Sequence, residues 1–233
     1  MELTPDDSIV FAIGAFAVNK TIFNTWIIMA LLTGASALIT RNLRPDVPPN
    51  RWRTTLEVIV GLIQSQIAEI TQRPDRRLLY FSGTLFLFIV TSNLLTVVPG
   101  FDPPTASLST TAALALAVLV AVPLFGVGSR GLRGHLHSYM EPTVFMLPFN
   151  IISEFSRGVS LAIRLYGNIM SGAVIAAILL GVAPFFFPVA MDMLGLLTGV
   201  IQAYIFAILA TVYISSATAP PPSDDTETAK DRT

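Results

Sequence analysis

The sequence predicts an all-α integral membrane protein: five membrane-embedded helices plus one interfacial amphipathic helix, the last two spans forming a long, strongly tilted hairpin. Three observations predict it. Of 233 residues, 53% are hydrophobic and only 12% are charged, against ~25% charged in an ordinary globular domain. Five apolar runs reach or approach the ~20 residues that cross a bilayer. The loops between them alternate between strongly basic and free of Lys and Arg, the pattern that sets orientation in a membrane.

Residues 1–20 form an outer N-terminal segment with an apolar patch, Ile9 to Val18, too short to span and suited to the interface. Its acidic start (Glu2, Asp6, Asp7) is unlike a secretory signal, whose first residues are basic. The first span is 21–40, with Trp26 as an interfacial anchor, and it stops at Arg41 and Arg44. Residues 41–77 hold seven of the 14 Lys and Arg residues. Pro45, Pro48 and Pro49 forbid a helix at the start of that segment. Residues 54–71 then read as an amphipathic helix. Leu56, Ile59, Val60, Ile63, Ile67 and Ile70 share one face, and Glu57, Gln64 and Glu69 lie off it. Such a helix rests on lipid or packs on a partner.

The second span is 78–98, with the polar Asn93 near its end; the third is 111–129, alanine-rich and broken by Pro123. The basic stretch 129–142 carries His135 and His137. Two positions apart, they do not share a helix face and have no accompanying ligand set, so no metal is expected. The absence of cysteine excludes disulfides and thiol catalysis, and the net charge of −1 points to no partner. Loops 41–77 and 129–142 are basic, whereas 99–110 and 182–188 have no Lys or Arg. The N-terminus is therefore expected outside, and the polar, proline-led tail 218–233 is expected cytoplasmic and disordered.

The fourth span, 143–182, runs 40 residues. As one helix it measures ~60 Å at 1.5 Å per residue, twice the ~30 Å hydrocarbon core, so it must tilt, bend or follow the interface. The APFFFP turn at 183–188 reverses the chain, and 189–217 is the fifth span.

Arg164 lies inside the fourth span. A guanidinium does not lose its proton, and placing one at bilayer depth costs at least ~2.5–3.5 kcal/mol. That makes it a candidate functional residue. Helical steps of three and four connect it to Ser153, Arg157 and Ser160 before it, and to Gly167, Asn168, Ser171 and Gly172 after it. Small-residue packing between helices explains the glycines and serines but not the arginine. Arg157 reads as a side chain that snorkels to the interface. Leu161, Ile163, Leu165, Ile169, Ala173 and Ile175 occupy the other faces. The fifth span has its own stripe, Asp192, Gly195, Gly199, Gln202 and Phe206. Gln202 is either a satisfied interhelical hydrogen bond or a brace for Arg164.

The stretches SLAIRLYGNIMSG and IQAYIFAILATVYIS resemble the last two helices of subunit a of F-type ATP synthases, whose pattern is loosely S-L-x-x-R-L-x-G-N followed by Q-A-[FY]-[IV]-F-x-x-L. The upstream NLLTVVPGF, PTASLSTTAALALA and FNIISEFSRGVSL are similar to the same family, so the resemblance covers about residues 20 to 217. It implies a stator that faces a rotating ring of c-subunit hairpins and is held by peripheral-stalk b subunits. Ions cross through two aqueous half-channels and ride on ring carboxylates in between. The family arginine falls on Arg164, the asparagine on Asn168 and the glutamine on Gln202. A permanent cation there stabilises a deprotonated ring carboxylate and repels leaking cations.

Two positions depart from the family. Many members carry a carboxylate nine residues after the arginine and a histidine or carboxylate seven before the glutamine; here these are Ala173 and Gly195. Asp192, one turn from Gly195, either replaces the relay group or caps the start of its helix. The missing relay leaves the ion open: a proton by family frequency, sodium as the alternative. Ser160 and Glu154 complete the candidate channel-lining set. Glu154 lines the inner half-channel, pairs with Arg157 or is solvated, the pair being the favoured reading.

A secondary transporter with its site at Arg164 is the alternative of another class, but no internal repeat accompanies the arginine. A scaffold leaves Arg164 and Gln202 without a purpose. No G-x-x-x-x-G-K-[ST] motif is present. The expectation is therefore no cofactor, no nucleic acid, no directly bound nucleotide and no activity of the chain alone. The resemblance and the loop charges together imply a bacterial inner membrane.

Overall fold

A computed structural model of the chain describes residues 9–13, 16–41, 51–71, 76–98, 101–140, 143, 145–182 and 187–218. The first residues of the N-terminal segment, the proline-rich stretch after Arg41, most of the APFFFP turn and the polar tail lie outside the described residues. Six helices carry the fold: α1 (Lys20–Thr40), α2 (Arg51–Thr71), α3 (Arg76–Leu94), α4 (Leu108–Met140), α5 (Met146–Val182) and α6 (Phe187–Thr218). All but α2 contain a stretch long and apolar enough to cross a membrane. The helical membrane class holds.

The apolar patch ahead of α1 pairs with itself. Strand β1 (Ile9–Ile13) runs antiparallel to β2 (Phe16–Asn19), with Ala12 opposite Ala17 and Ile13 opposite Phe16. Ile9, Val10, Phe11, Ile13, Phe16 and Val18 are β-branched or aromatic, the residue types that suit a pleated ribbon.

Pro123 does not break the third span. It lies inside α4, and the helix departs from helical geometry at Gly131, where φ is 74° and ψ 163°. A membrane helix tolerates an internal proline when its neighbours re-satisfy the freed carbonyl. The left-handed region at Gly131 is open to glycine alone at little cost. Residues 132–140 thus form a second helical piece that leaves the axis of the first. His135 and His137 fall in this piece, and their side chains lie outside the described set.

The core lies where α6 packs on α3, α4 and α5. Ile89, Val118, Leu161, Leu165, Ala203, Phe206 and Ala210 are at most 1% exposed. Ile67 of the amphipathic helix joins Leu78, Ala121, Val122 and Ile214 in a second cluster, so α2 packs on the bundle through its apolar face. Val58 and Leu62 of α2 stay exposed. Helix α5 has 37 residues and spans ~55 Å. It is longer than the hydrocarbon thickness and must tilt or run partly along the interface.

Polar side chains fasten the apolar helices together. Asn93 of α3 donates to the Gly199 carbonyl of α6 at 2.9 Å. Its amide oxygen accepts from Thr105 at 3.0 Å, and Thr105 also meets Ser92 at 3.1 Å. A side chain at 199 would stand 3.0–3.1 Å from Asn93, so the approach of α3 to α6 depends on the missing Cβ. Further along, Thr211 donates to Ser82 at 2.9 Å.

Candidate functional site

The polar stripe of α5 is the face that the rest of the chain leaves uncovered. Ser153, Arg157, Ser160, Arg164 and Ser171 are exposed, Asn168 is half-buried, and Leu161 and Leu165 on the opposite side are buried against the core. The sequence grouped Leu161 with Ile163 and Ile175 as apolar positions; the fold separates them, because Ile163 and Ile175 face outward. Arg164 makes no hydrogen bond or ion pair among the described residues.

The stripe on α6 divides. Asp192 and Gly195 are exposed, whereas Gly199, Gln202 and Phe206 are buried. Gln202 is 7% exposed, and its amide nitrogen is buried without a partner. No hydrogen bond joins Gln202 to Arg164 among the described residues, so neither reading of the glutamine is met within the single chain.

Two cavities flank Arg164 along α5, the first mostly apolar with a few polar groups and the second mostly polar. The first, about 560 Å³, lies at the hairpin-turn end. Asn168, Ala173, Asp192 and Gly195 line it from the hairpin, and Asn93, Lys20 and Asp102 line it from α3, α1 and the loop after α3. Lys20 pairs with Asp102 at 2.5 Å, and Asn24 donates to the Asp102 carbonyl at 2.8 Å. The two positions that lack the family's relay groups, Ala173 and Gly195, thus open on one cavity with Asp192. Helix α6 begins at Phe187 and has no acidic residue in its first turn. Asp192 is therefore not a cap for the helix start: the helix begins two residues earlier than the sequence predicts and carries Asp192 past the free N–H groups.

The second cavity, about 250 Å³, lies at the far end, where α5 starts and α6 finishes. Arg130, Tyr139, Asn150, Ser153, Glu154, Arg157 and Ser216 line it. The favoured pairing of Glu154 with Arg157 is not formed. Tyr139 donates to Glu154 Oε2, and the Arg157 guanidinium lies over the Tyr213 ring, 5.3 Å from its centroid. A planar cation gains from an aromatic face, and the phenol supplies the carboxylate with a closer donor. Glu154 Oε1 and Arg130 Nε are both buried without partners. Burial, and then the Glu154 carboxylate, push the Tyr139 phenol above its ordinary range, so it remains a donor.

Tyr139, Arg130, Asn150, Lys20 and Asp102 were not among the sequence candidates. Only Asn93 had a signal, as a polar residue near the end of an apolar span. The others become neighbours only through the turn at Gly131 and the loop after α3.

Fold and site together define a polytopic membrane protein with an arginine, unpaired among the described residues, on an open helix face between two cavities. Residues 22–215 match the ATP synthase A chain family. The chain is 56% identical to ATP synthase subunit a 1 of Prosthecochloris aestuarii, over 94% of this chain and 98% of that protein. It is also 56% identical to ATP synthase subunit a of Albidiferax ferrireducens, over 94% of both chains, and to ATP synthase subunit a 2 of a Picosynechococcus strain, over 93% of both. The chain belongs to the ATP synthase A chain family, the subunit a of the membrane sector of F-type ATP synthases, and as such associates with other ATP synthase subunits.

Proposed function

We propose that the open face of α5 is the stator surface against which a ring of c subunits turns, with Arg164 between two ion half-channels. The observation that carries this reading is the place of Arg164: exposed, without a hydrogen-bond or ion-pair partner among the described residues, and flanked by a cavity at each end. A fixed cation on a low-dielectric surface requires a mobile anion from elsewhere, and a ring carboxylate supplies it. The carboxylate deprotonates beside Arg164 and takes up an ion on either side, while the guanidinium repels free cations that would cross directly.

The turn-end cavity is the outer half-channel, with Asp192 and Asn168 lining it; the far-end cavity is the inner one, with Glu154. Ser160 lies on the sliding face. The buried, unpartnered amide of Gln202 holds a donor in reserve beside that face. Peripheral-stalk b subunits anchor the chain. The basic residues around α2 and in the last turns of α4 support a cytoplasmic far end and a bacterial inner membrane as the location. The segment before α1 lies outside, and the C-terminus is cytoplasmic.

The ion is a proton in this reading. One observation favours sodium: the turn-end cavity has no titratable group at Ala173 or Gly195, and Asp192 alone on α6 serves it. The test is ATP synthesis by the whole complex in liposomes, driven by a potential plus a proton gradient, with and without sodium. Sodium-independent synthesis abolished by a protonophore is expected. Synthesis that requires sodium and survives the protonophore replaces the proton with sodium. No coupled synthesis from an intact complex overturns the stator reading.

A further inference from the structure

Gly131 gives α4 a corner, and the corner carries residues 132–140 over the start of α5. Asn150 of α5 donates to the Tyr139 carbonyl at 2.9 Å, which fixes the backbone of the crossing piece. The Tyr139 phenol then reaches Glu154, 15 residues on in sequence. A tyrosine that only filled space would need no such partner. Here its hydroxyl takes one carboxylate oxygen and leaves the other free.

The free oxygen, Glu154 Oε1, is buried and unpaired, and so is Arg130 Nε. Both residues line the same 250 Å³ cavity. Leaving a buried charged acceptor or donor unsatisfied costs ~1–3 kcal/mol or more. A cavity of this size and polarity has room for water, which needs ~30 Å³ per molecule in the liquid. The groups facing Glu154 are Arg130 and Tyr139 of α4 and Arg157 of its own helix; α6 offers Ser216, and Tyr213, which is occupied by Arg157. Arg157, one turn along α5 from the carboxylate, is thus held over the Tyr213 ring.

We propose that Tyr139 is a positioning residue of the far-end ion path: its phenol holds Glu154 in the cavity lining with one carboxylate oxygen left unpaired, while Tyr213 keeps Arg157 from neutralising it. This rests on the reading of that cavity as a half-channel. A carboxylate with one oxygen clamped and the other buried without a partner can draw a cation of either kind from the ring side and pass it on. Without the clamp, the side chain rotates toward Arg157 and becomes an ordinary surface pair.

The test uses the whole ATP synthase in inverted membrane vesicles and measures ATP-driven ion pumping per assembled complex for Tyr139→Phe, Glu154→Gln and the double variant. Loss of a hydrogen bond to a charged group predicts about a tenfold lower rate in Tyr139→Phe. Glu154→Gln should fall at least as far. The double variant should be no slower than Glu154→Gln alone, because Tyr139 acts through Glu154. Wild-type pumping by Tyr139→Phe, or losses that multiply in the double variant, overturn the proposal. Tyr139→Gln keeps an N–H donor without the ring, and it should pump faster than Tyr139→Leu; equal loss in both also overturns it. Wild-type pumping by Glu154→Gln instead sinks the reading of the cavity as an ion path, whatever Tyr139 does.

Discussion

The two cavities beside Arg164 are built in opposite ways. The turn-end cavity is made by leaving side chains out. Ala173, Gly195 and Gly172 open the space, and the polar groups stand at its margin. The far-end cavity is half the size and is filled with long side chains, two arginines, a tyrosine and a glutamate, in an arrangement fixed by hydrogen bonds and ring stacking. Small residues make a wide vestibule that holds no ion in place. Long, mutually oriented side chains make a lining in which each group's place depends on its neighbour's. Substitutions at the two ends should therefore fail differently.

Arg164→Gln should have the largest effect, because it removes the barrier common to both ends. Coupled pumping by the assembled complex should fall at least about a hundredfold, the scale for deleting one member of a desolvated charge pair. Passive ion leak through the membrane sector should rise at the same time. Retained pumping would mean that the two cavities do not meet at this residue.

The next comparison pits two glycines against each other. An added Cβ meets nothing within 4 Å at either Gly131 or Gly195, but only Gly131 has a positive φ. Gly131→Ala should destabilise the purified complex by about 1–3 kcal/mol, the cost of a non-glycine residue in that region. It should also loosen the Tyr139–Glu154 contact. Gly195→Ala should leave thermal stability within about 0.5 kcal/mol, as at an open surface position. Equal effects in a thermal-unfolding assay would show that the corner in α4 is not what builds the far end.

Gly199→Ala tests the seam behind the turn-end cavity. The new methyl would stand 3.0–3.1 Å from the Asn93 side chain. Moving Asn93 breaks its bond to the Gly199 carbonyl and disturbs Thr105 and Ser92. Overpacking of this kind costs about 1–3 kcal/mol, read as a lower unfolding temperature. The double variant Gly199→Ala with Asn93→Ala should recover part of that loss.

The smallest effect belongs to Lys20 and Asp102. Their side chains are 36% and 45% exposed, and an exposed pair contributes about 0.2–1 kcal/mol. Lys20→Met should lower stability by no more than that at low salt and by less at high salt. A loss well above this range would make the pair a principal fastening of α1 rather than a marginal one.

Much of the architecture was legible because a bilayer imposes few solutions. Length and hydropathy marked α1, α3, α4, α5 and α6, and the amphipathic period marked α2, which begins at Arg51, three residues before the expected Thr54. The stripe through Arg164 was legible because helical spacing fixes which residues share a face. Four details were not. Pro123 read as a break, yet neighbouring helices carry the chain through it, and the corner falls at Gly131, which no local rule distinguishes from the other glycines of that stretch. Glu154 read as a partner for Arg157 because the two are one turn apart, but an aromatic ring and a phenol from elsewhere compete better for each. Asp192 read equally as a cap because the helix start was placed two residues late. The apolar patch before α1 read as an interfacial segment, and it pairs into a short ribbon.

The sequence by itself determined that this chain lies in a membrane, that one arginine there has no local compensation, and which residues share its face. Those conclusions rest on desolvation cost and on the 3.6-residue period, both of which are local. Tertiary structure alone decided which faces α3 and α4 cover, that Ala173, Gly195 and Asp192 share a cavity with Asn93 and Asp102, and that Tyr139 rather than Arg157 reaches Glu154. These depend on where α4 turns and how closely α3 approaches α6. Packing among distant segments sets both, and spacing along the chain carries no record of it.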